Sequence, residues 1–187
     1  WTLPEGETIR SNEEGTSYSL RLLRRDFAQE NELQEEVSQT TADLIVAQLK
    51  EIGVEVTVEK YSLAELEEKI RTRDYDMLLY GQSLGYNLDT FAYWHSSQAS
   101  ETGLNLSNYQ NPEADFLIES IRGTFDTEEK QALLQDLAET ITTDVPAIFL
   151  YTPSYYYVAD TKVTGVQFSK LLLPKDRFST IHLWNLN

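Results

Sequence analysis

The first half of the chain alternates between strand-like and helix-like segments, and no other feature constrains the fold as strongly. Alternating apolar residues predict strands over 18–24 and 54–59, and a continuous apolar run predicts a third over 76–80. Helical periodicity predicts helices over 35–52 and 62–72 between them. Helical connections of this length join parallel strands in right-handed crossovers. The order β-α-β-α-β therefore predicts an α/β fold with a mostly parallel sheet flanked by helices.

Capping residues predict two further helices in the second half. Asn111 stands before a proline at one helix start, and Asp126 opens a capping box whose helix runs to Pro146. The apolar segment 147–151 predicts another strand. Strand-like pieces follow in the tail, around Tyr155, Val163 and Ile181–Trp184.

The charge and the composition exclude several classes of function. The chain carries 15 Lys and Arg against 31 Asp and Glu, a net charge of −16, which argues against binding to nucleic acid or to an anionic membrane surface. Cysteine is absent, so the chain has no disulfide, zinc thiolate or thiol nucleophile. No apolar run reaches the roughly 18 residues that a membrane-spanning helix needs, so no direct membrane span is expected.

The sequence predicts no catalytic residue, metal or cofactor. The turn after the first strand lacks the glycines of a dinucleotide site. His95 and His182 lie far apart, and neither has a second ligand at metal-binding spacing. Arg21, Arg24 and Arg25 could hold an anion, but salt bridges at the sheet are favoured.

Aromatic residues concentrate in two places and leave two interpretations open. One group flanks or lies within the long segment 81–109, which is also rich in Ser, Asn and Gly, and the other follows the strand predicted at 147–151. Rings on loops after parallel strands often line a ligand cleft. They can equally cover the edge of a core. The two groups are Tyr80, Tyr86, Phe91, Tyr93 and Trp94, and Tyr151, Tyr155, Tyr156 and Tyr157.

The order of these pieces resembles a known family. The resemblance rests on six segments: Leu49-Lys-Glu-Ile-Gly-Val-Glu-Val56, Asp74-Tyr-Asp-Met-Leu-Leu-Tyr-Gly81, Tyr109-Gln-Asn-Pro-Glu-Ala-Asp115, Asp126-Thr-Glu-Glu-Lys130, Asp144-Val-Pro-Ala-Ile-Phe-Leu-Tyr151 and Val163-Thr-Gly-Val166. From about Ser19 onward, the chain is similar to the C-terminal lobe of the extracytoplasmic solute-binding proteins of oligopeptide and dipeptide ABC transporters, bacterial family 5.

The resemblance implies one lobe of a type II periplasmic-binding-protein fold, in a two-lobed clamp that closes on its ligand. The function it implies is capture of a peptide or other small polar solute for an ABC permease, without catalysis. The location it implies is extracytoplasmic, in the periplasm or at the outer face of the cell membrane, as a free protein or a lipoprotein.

The resemblance also divides the chain into parts. Residues 1–18 would form a loop or hairpin, 19–151 the C-terminal lobe, and 152–187 a tail that returns to the first lobe. Because Trp1 is not an initiator methionine, the N-terminal lobe is expected upstream of it. Without that lobe the tail should expose apolar residues such as Leu171–Leu173 and Trp184.

A candidate ligand site follows the third strand. Peptide-binding members of the family commonly have Gly-Trp-x-x-Asp there, in which the aspartate pairs with the peptide's amino group. Here Gln82 stands for the Trp and Gly85 for the Asp, while Asp89 could supply a carboxylate from a shifted position. These departures favour a neutral or differently charged ligand. The candidate ligand-binding residues are Gln82, Ser83, Gly85, Tyr86 and Asn87.

Two alternatives from other classes stay open. One is a hydrolase on a similar scaffold, whose base would be His95, the histidine nearest the long loop. The other is a stand-alone ligand-sensing or interaction domain.

Overall fold

The computed structural model describes residues 1–84, 89–167, 171 and 173–186. The chain divides into two compact units. Unit 1 consists of residues 1–82 and 100–106, and unit 2 consists of residues 83–99 and 107–187. Across the part of the chain that is described, no helix is both long enough and apolar enough to span a bilayer.

Unit 1 contains the predicted parallel sheet. Its strands are β1 (Ser19–Arg25), β2 (Glu55–Tyr61) and β3 (Met77–Leu79), in the order β2-β1-β3. Both pairings are parallel. Helices α1 (Glu32–Glu51) and α2 (Leu63–Thr72) connect the strands. The predicted β-α-β-α-β order is therefore confirmed, as is the α/β class.

Local capping sets the helix boundaries in unit 1. The Asn31 side chain accepts from the backbone N–H of Gln34, so α1 begins three residues before the predicted start. Ser62 and Glu65 form the predicted capping box at the start of α2. Arg73 ends that helix in the left-handed conformation, with φ of 55°.

The core of unit 1 forms around the central strand. Leu22 and Leu23 point to opposite faces of the sheet, and both are buried, so β1 is covered on both sides. On α1 the buried position is Ala42. Leu44 and Ile52 are apolar residues at helical spacing on the same helix, yet they are 57% and 55% exposed.

Unit 2 is built on helices. They are α3 (Phe91–Trp94), α4 (Pro112–Gly123) and α5 (Thr127–Asp144), with a 3-10 turn at Ser96–Gln98. Asn111 caps α4 and Asp126 caps α5, as predicted. A core cluster fills the unit: Trp94, Tyr109, Ala114, Leu117, Ile118, Ile121, Leu137 and Ile141.

The strand predicted at 147–151 is wrong. Val145 follows α5 in the left-handed conformation, with φ of 50°, and no strand is present between there and Val163. Pro146 has no N–H to donate, and the structure gives residues 146–156 no backbone–backbone hydrogen bond with another described residue. Ile148 is 80% exposed. The apolar composition is that of a strand, but the described residues offer it no partner strand.

The tail contains little regular secondary structure. Strands β4 (Val163–Thr164) and β5 (Asn185–Leu186) pair antiparallel, and 3-10 turns occupy Pro174–Phe178 and Ile181–Leu183. The strands predicted near Tyr155 and over Ile181–Trp184 are therefore wrong, whereas the strand predicted around Val163 is confirmed.

The tail exposes apolar side chains, as expected, but the residues named for it are not the most exposed ones. Leu171, Leu173 and Trp184 are half-buried, and the Trp184 ring packs against Phe178 at 5.9 Å. Leu172 lies outside the described residues. Exposed apolar side chains lie on the segment 148–158, where Tyr156 and Val158 are 83% and 90% exposed, and near the end of the tail, where Leu186 is 84% exposed.

Candidate ligand-binding site

The topology of the unit 1 sheet points to one edge. The connection from β1 leads to β2 on one side, while β3 lies on the other side of β1. Such a reversal of strand order opens a crevice outside the carboxyl ends of the strands, where ligands of open α/β sheets bind. The chain segments at this edge of the sheet are the turn after β1 and the residues after β3.

Charges at the carboxyl end of β1 are paired within the protein. Arg24 is fully buried, and its guanidinium donates to Glu35 at 2.7 and 3.0 Å. Lys60 lies 3.2 Å from the same carboxylate. Arg25 pairs with Glu30, and its guanidinium lies over the Phe27 ring. The prediction of salt bridges for these arginines is confirmed.

Glu35 is held strongly in its charged form. The hydrogen bonds from Arg24 are the main cause, and the backbone N–H of Phe27 and the Lys60 ammonium add to them, so the pKa of Glu35 falls to about 2. The cationic groups at this turn are therefore engaged by the Glu35 carboxylate.

The residues after β3 are open to solvent. In unit 1, Tyr80 is 54% exposed, and Gly81 and Gln82 are also exposed. The amide of Gln82 is therefore available to donate to and accept from a ligand. Gly81 has nothing within 4 Å of where a Cβ would stand, so the backbone here is open to close approach.

Ser83 begins the unit 2 part of the segment. It is exposed, and its backbone carbonyl accepts from the Tyr93 hydroxyl at 2.8 Å. This bond ties the candidate residue to α3. The other three predicted ligand-binding residues, Gly85, Tyr86 and Asn87, lie outside the described residues.

Asp89 is engaged within unit 2. Its Oδ2 lies 3.1 Å from Nη2 of Arg122 on α4, and its Oδ1 accepts from the backbone N–H of Phe91 at 3.1 Å. The Arg122 guanidinium also lies 4.3 Å from the centroid of the Phe91 ring. The carboxylate that could have replaced the family's aspartate therefore already has a cationic partner.

The aromatic residues divide between the two interpretations. Trp94 is in the core of unit 2, 7% exposed, and Phe91 and Tyr93 pack against that core. Tyr80, Tyr151 and Tyr156 are more than half exposed. The rings on α3 therefore cover a core edge and do not line an open cleft.

His95 follows α3 and contacts polar groups through both ring nitrogens. Its Nδ1 accepts from the backbone N–H of Ser97 at 3.1 Å and lies 2.9 Å from the Ser97 hydroxyl. Its Nε2 is 3.4 Å from Glu119. His182 is exposed in the tail. No group of three or more potential metal ligands occurs within the described ranges.

An acidic groove of about 400 Å³ runs between α4 and α5. At its end Asp144 accepts from the Tyr109 hydroxyl and from the Asn111 amide, both at 2.6 Å. These two bonds lower the pKa of Asp144. Burial, together with Asp144, raises the pKa of Tyr109 far above its ordinary value. The groove thus contains a satisfied structural network.

Sequence reasoning missed the contacts that support the candidate segment. They are the Asp89–Arg122 pair, the Tyr93–Ser83 hydrogen bond and the bond from the Ser96 backbone N–H to Asp115, at 2.8 Å. No local pattern distinguishes Arg122 from the other basic residues, because its partner lies on another element.

Comparisons with known proteins decide the relationship. The chain is 27% identical over 186 residues to the oligopeptide-binding protein AppA of Bacillus subtilis, covering 98% of this chain and 32% of AppA. The solved structure of AppA in complex with a nonapeptide matches all of this chain with a TM-score of 0.77 and 28% identity. The chain is homologous to AppA.

Other relatives agree. The probable D,D-dipeptide-binding periplasmic protein DdpA of Escherichia coli K12 is 24% identical over 127 residues, covering 66% of this chain and 24% of DdpA. NikZ from Campylobacter jejuni, solved with Ni(L-His), shares the fold with a TM-score of 0.64 over 95% of this chain and 36% of its own, at 16% identity. No family model matches the chain.

The resemblance inferred from the sequence is thereby confirmed, and the fold is that of a type II periplasmic binding protein. The chain spans about a third of the length of AppA, in both the sequence and the structure.

Proposed function

We propose that the chain is the C-terminal lobe of the substrate-binding component of an ABC importer. In this proposal it captures a peptide or other small polar solute between two lobes and delivers it to a permease outside the cytoplasm. The observation that carries the proposal is the similarity to AppA along nearly the whole chain, in sequence and in fold. AppA and DdpA are binding proteins, so we infer no catalytic role.

We place the ligand at the carboxyl edge of the unit 1 sheet and the segment after it. Gln82 would donate and accept through its amide, and Ser83 through its hydroxyl. Gly85, Tyr86 and Asn87 complete the proposed contacts by their position in the sequence. Tyr86 would contribute stacking area, and the backbone near Gly85 would pair with an extended ligand.

The engagement of Asp89 bears on the class of ligand. Because Arg122 compensates its charge at 3.1 Å, a ligand ammonium would have to displace that arginine. Recognition through several amide, hydroxyl and backbone contacts fits this site better than one carboxylate. An extended peptide or an uncharged polar solute meets that requirement.

We assign the exposed apolar segment 148–158 to contact with the other lobe. Ile148, Tyr156 and Val158 are each at least 80% exposed, and clusters of exposed apolar residues often mark interaction sites. In the division we propose, residues 19–151 form the C-terminal lobe and 152–187 the tail that packs against its partner. The remaining length of a protein the size of AppA would supply the N-terminal lobe.

The test is retention of ligand by the product of the complete reading frame. The protein is incubated with a randomised nonapeptide library, and retained peptides are identified by mass spectrometry. Replacement of Gln82 or Ser83 by alanine should weaken binding of the best retained peptide about tenfold, as expected for loss of a buried hydrogen bond. The control is Gln48→Ala, an exposed residue of α1 that should leave binding unchanged.

Either of two results would refute the proposal. One is a wild-type protein that retains no peptide and binds no polar solute. The other is an equal effect of the Gln82 and Gln48 variants, which would remove the assigned edge as the binding position.

One contact favours a second candidate, the hydrolase. The Ser97 hydroxyl lies 2.9 Å from Nδ1 of His95, as a nucleophile would from its base. The same nitrogen accepts from the Ser97 backbone N–H, which is the geometry of a capping turn. A hydrolytic activity against peptide esters that Ser97→Ala abolishes would favour the hydrolase over the binding protein.

A further inference from the structure

The hydrogen bonds of His95 define its protonation state in this conformation. It precedes the 3-10 turn Ser96–Gln98, and its side chain is only 12% exposed. A backbone N–H can only donate, so Nδ1, which accepts from Ser97 at 3.1 Å, must carry its lone pair. The hydrogen-bond network therefore assigns the neutral tautomer with its proton on Nε2, facing Glu119.

Charged groups surround the ring from α4. Glu119 lies 3.4 Å from Nε2 and Asp115 lies 4.0 Å from Nδ1. The Phe91 ring stacks on the imidazole at 4.3 Å, and Arg122 lies over that same Phe91 ring. Asp89, on the chain segment just before α3, is paired with Arg122. Among the described residues, the carboxylates of Asp115 and Glu119 face the imidazole directly, and Arg122 lies across the Phe91 ring.

Protonation would reverse the role of Nδ1. An imidazolium has donors at both nitrogens, so it cannot accept from the Ser97 backbone N–H. The charged ring would instead donate to the Ser97 hydroxyl or to Asp115, and to Glu119. Histidine is the side chain that ordinarily changes charge between about pH 5 and 8.

We propose that His95 is a pH-sensitive cap on the turn Ser96–Gln98. Neutral His95 accepts from Ser97 and holds the turn. Protonated His95 releases that bond and pairs with Asp115 and Glu119. The turn stays attached at Ser96 in either state, because Asp115 accepts from the Ser96 backbone N–H at 2.8 Å.

The cap is linked to the candidate ligand segment through α3. His95 follows directly on that helix, and Tyr93 within it donates to the Ser83 carbonyl at 2.8 Å. Acidification should therefore loosen the support of Ser83 and weaken ligand capture. This consequence rests on the proposed function, whereas the cap itself does not.

Amide exchange and ring nitrogen shifts test the cap directly. The chain has two histidines, so His182→Gln leaves His95 as the only reporter. At pH 7.5 its nitrogen-15 shifts should be those of the Nε2–H tautomer. Between pH 7.5 and 5.0, the protection factor of the Ser97 amide should fall about fivefold, as expected for loss of one neutral hydrogen bond.

Two variants provide the matched comparison. Asparagine is a good helix cap and does not titrate, so His95→Asn should protect the Ser97 amide equally at both pH values. His95→Ala should lower the protection at both. The Nδ1–H tautomer at pH 7.5, a pH-independent protection factor in the wild type, or a pH-dependent one in His95→Asn would overturn the proposal.

The link to ligand capture has its own readout. The nonapeptide retained most strongly at pH 7.5 is titrated into the complete protein at pH 7.5 and 5.0. Wild type should bind more weakly at pH 5.0, and His95→Asn should lose less affinity. Equal losses of affinity in the two proteins would overturn the link, and the cap would still be judged by the exchange data. Absence of peptide binding at both pH values would count against the proposed function alone.

Discussion

The buried pair between Arg24 and Glu35 should carry a large share of the stability of unit 1. Arg24 is fully buried, and its guanidinium meets the Glu35 carboxylate at 2.7 and 3.0 Å. Replacing Glu35 by glutamine keeps the shape of the side chain but leaves the arginine without its counter-charge. Breaking a buried pair on one side typically costs about 3–5 kcal/mol.

The pKa of Glu35 gives an independent measure of the same interaction. It falls from 4.5 to about 2 in the folded protein. At about 1.36 kcal/mol per pKa unit, this corresponds to roughly 3 kcal/mol of stabilisation by the charged form. Discounting for the partial exposure of the carboxylate gives about 2 kcal/mol. We therefore expect Glu35→Gln to lower the free energy of unfolding by about 2–3 kcal/mol.

Urea unfolding followed by circular dichroism measures the effect. The neighbouring Glu36→Gln is the matched control, because Glu36 is exposed on the same helix and should change stability by less than about 0.5 kcal/mol. The folded-state pKa of Glu35 is depressed, so its contribution is complete above about pH 4.5 and is lost as the pH falls toward about 2. Equal effects of the two variants at pH 7, or a gap that stays constant down to pH 2, would refute the reasoning.

Three further predictions concern unit 2. Asn111→Ala removes the cap of α4 and should destabilise by about 1 kcal/mol in urea unfolding; no loss would show the cap to be dispensable. Ile118→Ala empties a core position that is 1% exposed and should cost about 2–5 kcal/mol, whereas Phe125→Ala, at 99% exposure, should cost almost nothing; similar costs would contradict the assigned core. Amides of 148–156, to which the structure gives no backbone–backbone hydrogen bond with another described residue, should exchange within seconds in the 187-residue chain, and strong protection would contradict their exposure.

The sheet of unit 1 was predictable because its signals are local. Alternating residues in β2 and the Ser62 capping box specify their elements without reference to distant parts of the chain. The strand at 147–151 was not predictable in the same way. Its residues are apolar, but a strand also needs a partner, and neither Pro146 nor the left-handed Val145 favours pairing.

The sequence could propose residues for the candidate site but could not predict the contacts that they make. Position after a predicted strand was enough to select Gln82 and Ser83. The pairing of Asp89 with Arg122 joins positions 33 residues apart on separate elements, so nothing local predicts it. The cap formed by His95 depends on which ring nitrogen faces the Ser97 backbone, which composition and spacing do not encode.

The central claim is that this chain is one lobe of a two-lobed binding protein. A comparison of ligand binding by the complete protein and by this chain alone tests it most directly. A nonapeptide selected from the library is titrated into both by calorimetry. The account predicts a saturable heat of binding with the complete protein, and little or none with the 187-residue chain, because half of the contacts would be missing. Micromolar binding by this chain alone would contradict the two-lobed clamp. Absence of binding between the complete protein and every peptide and polar solute tested would contradict the binding function itself.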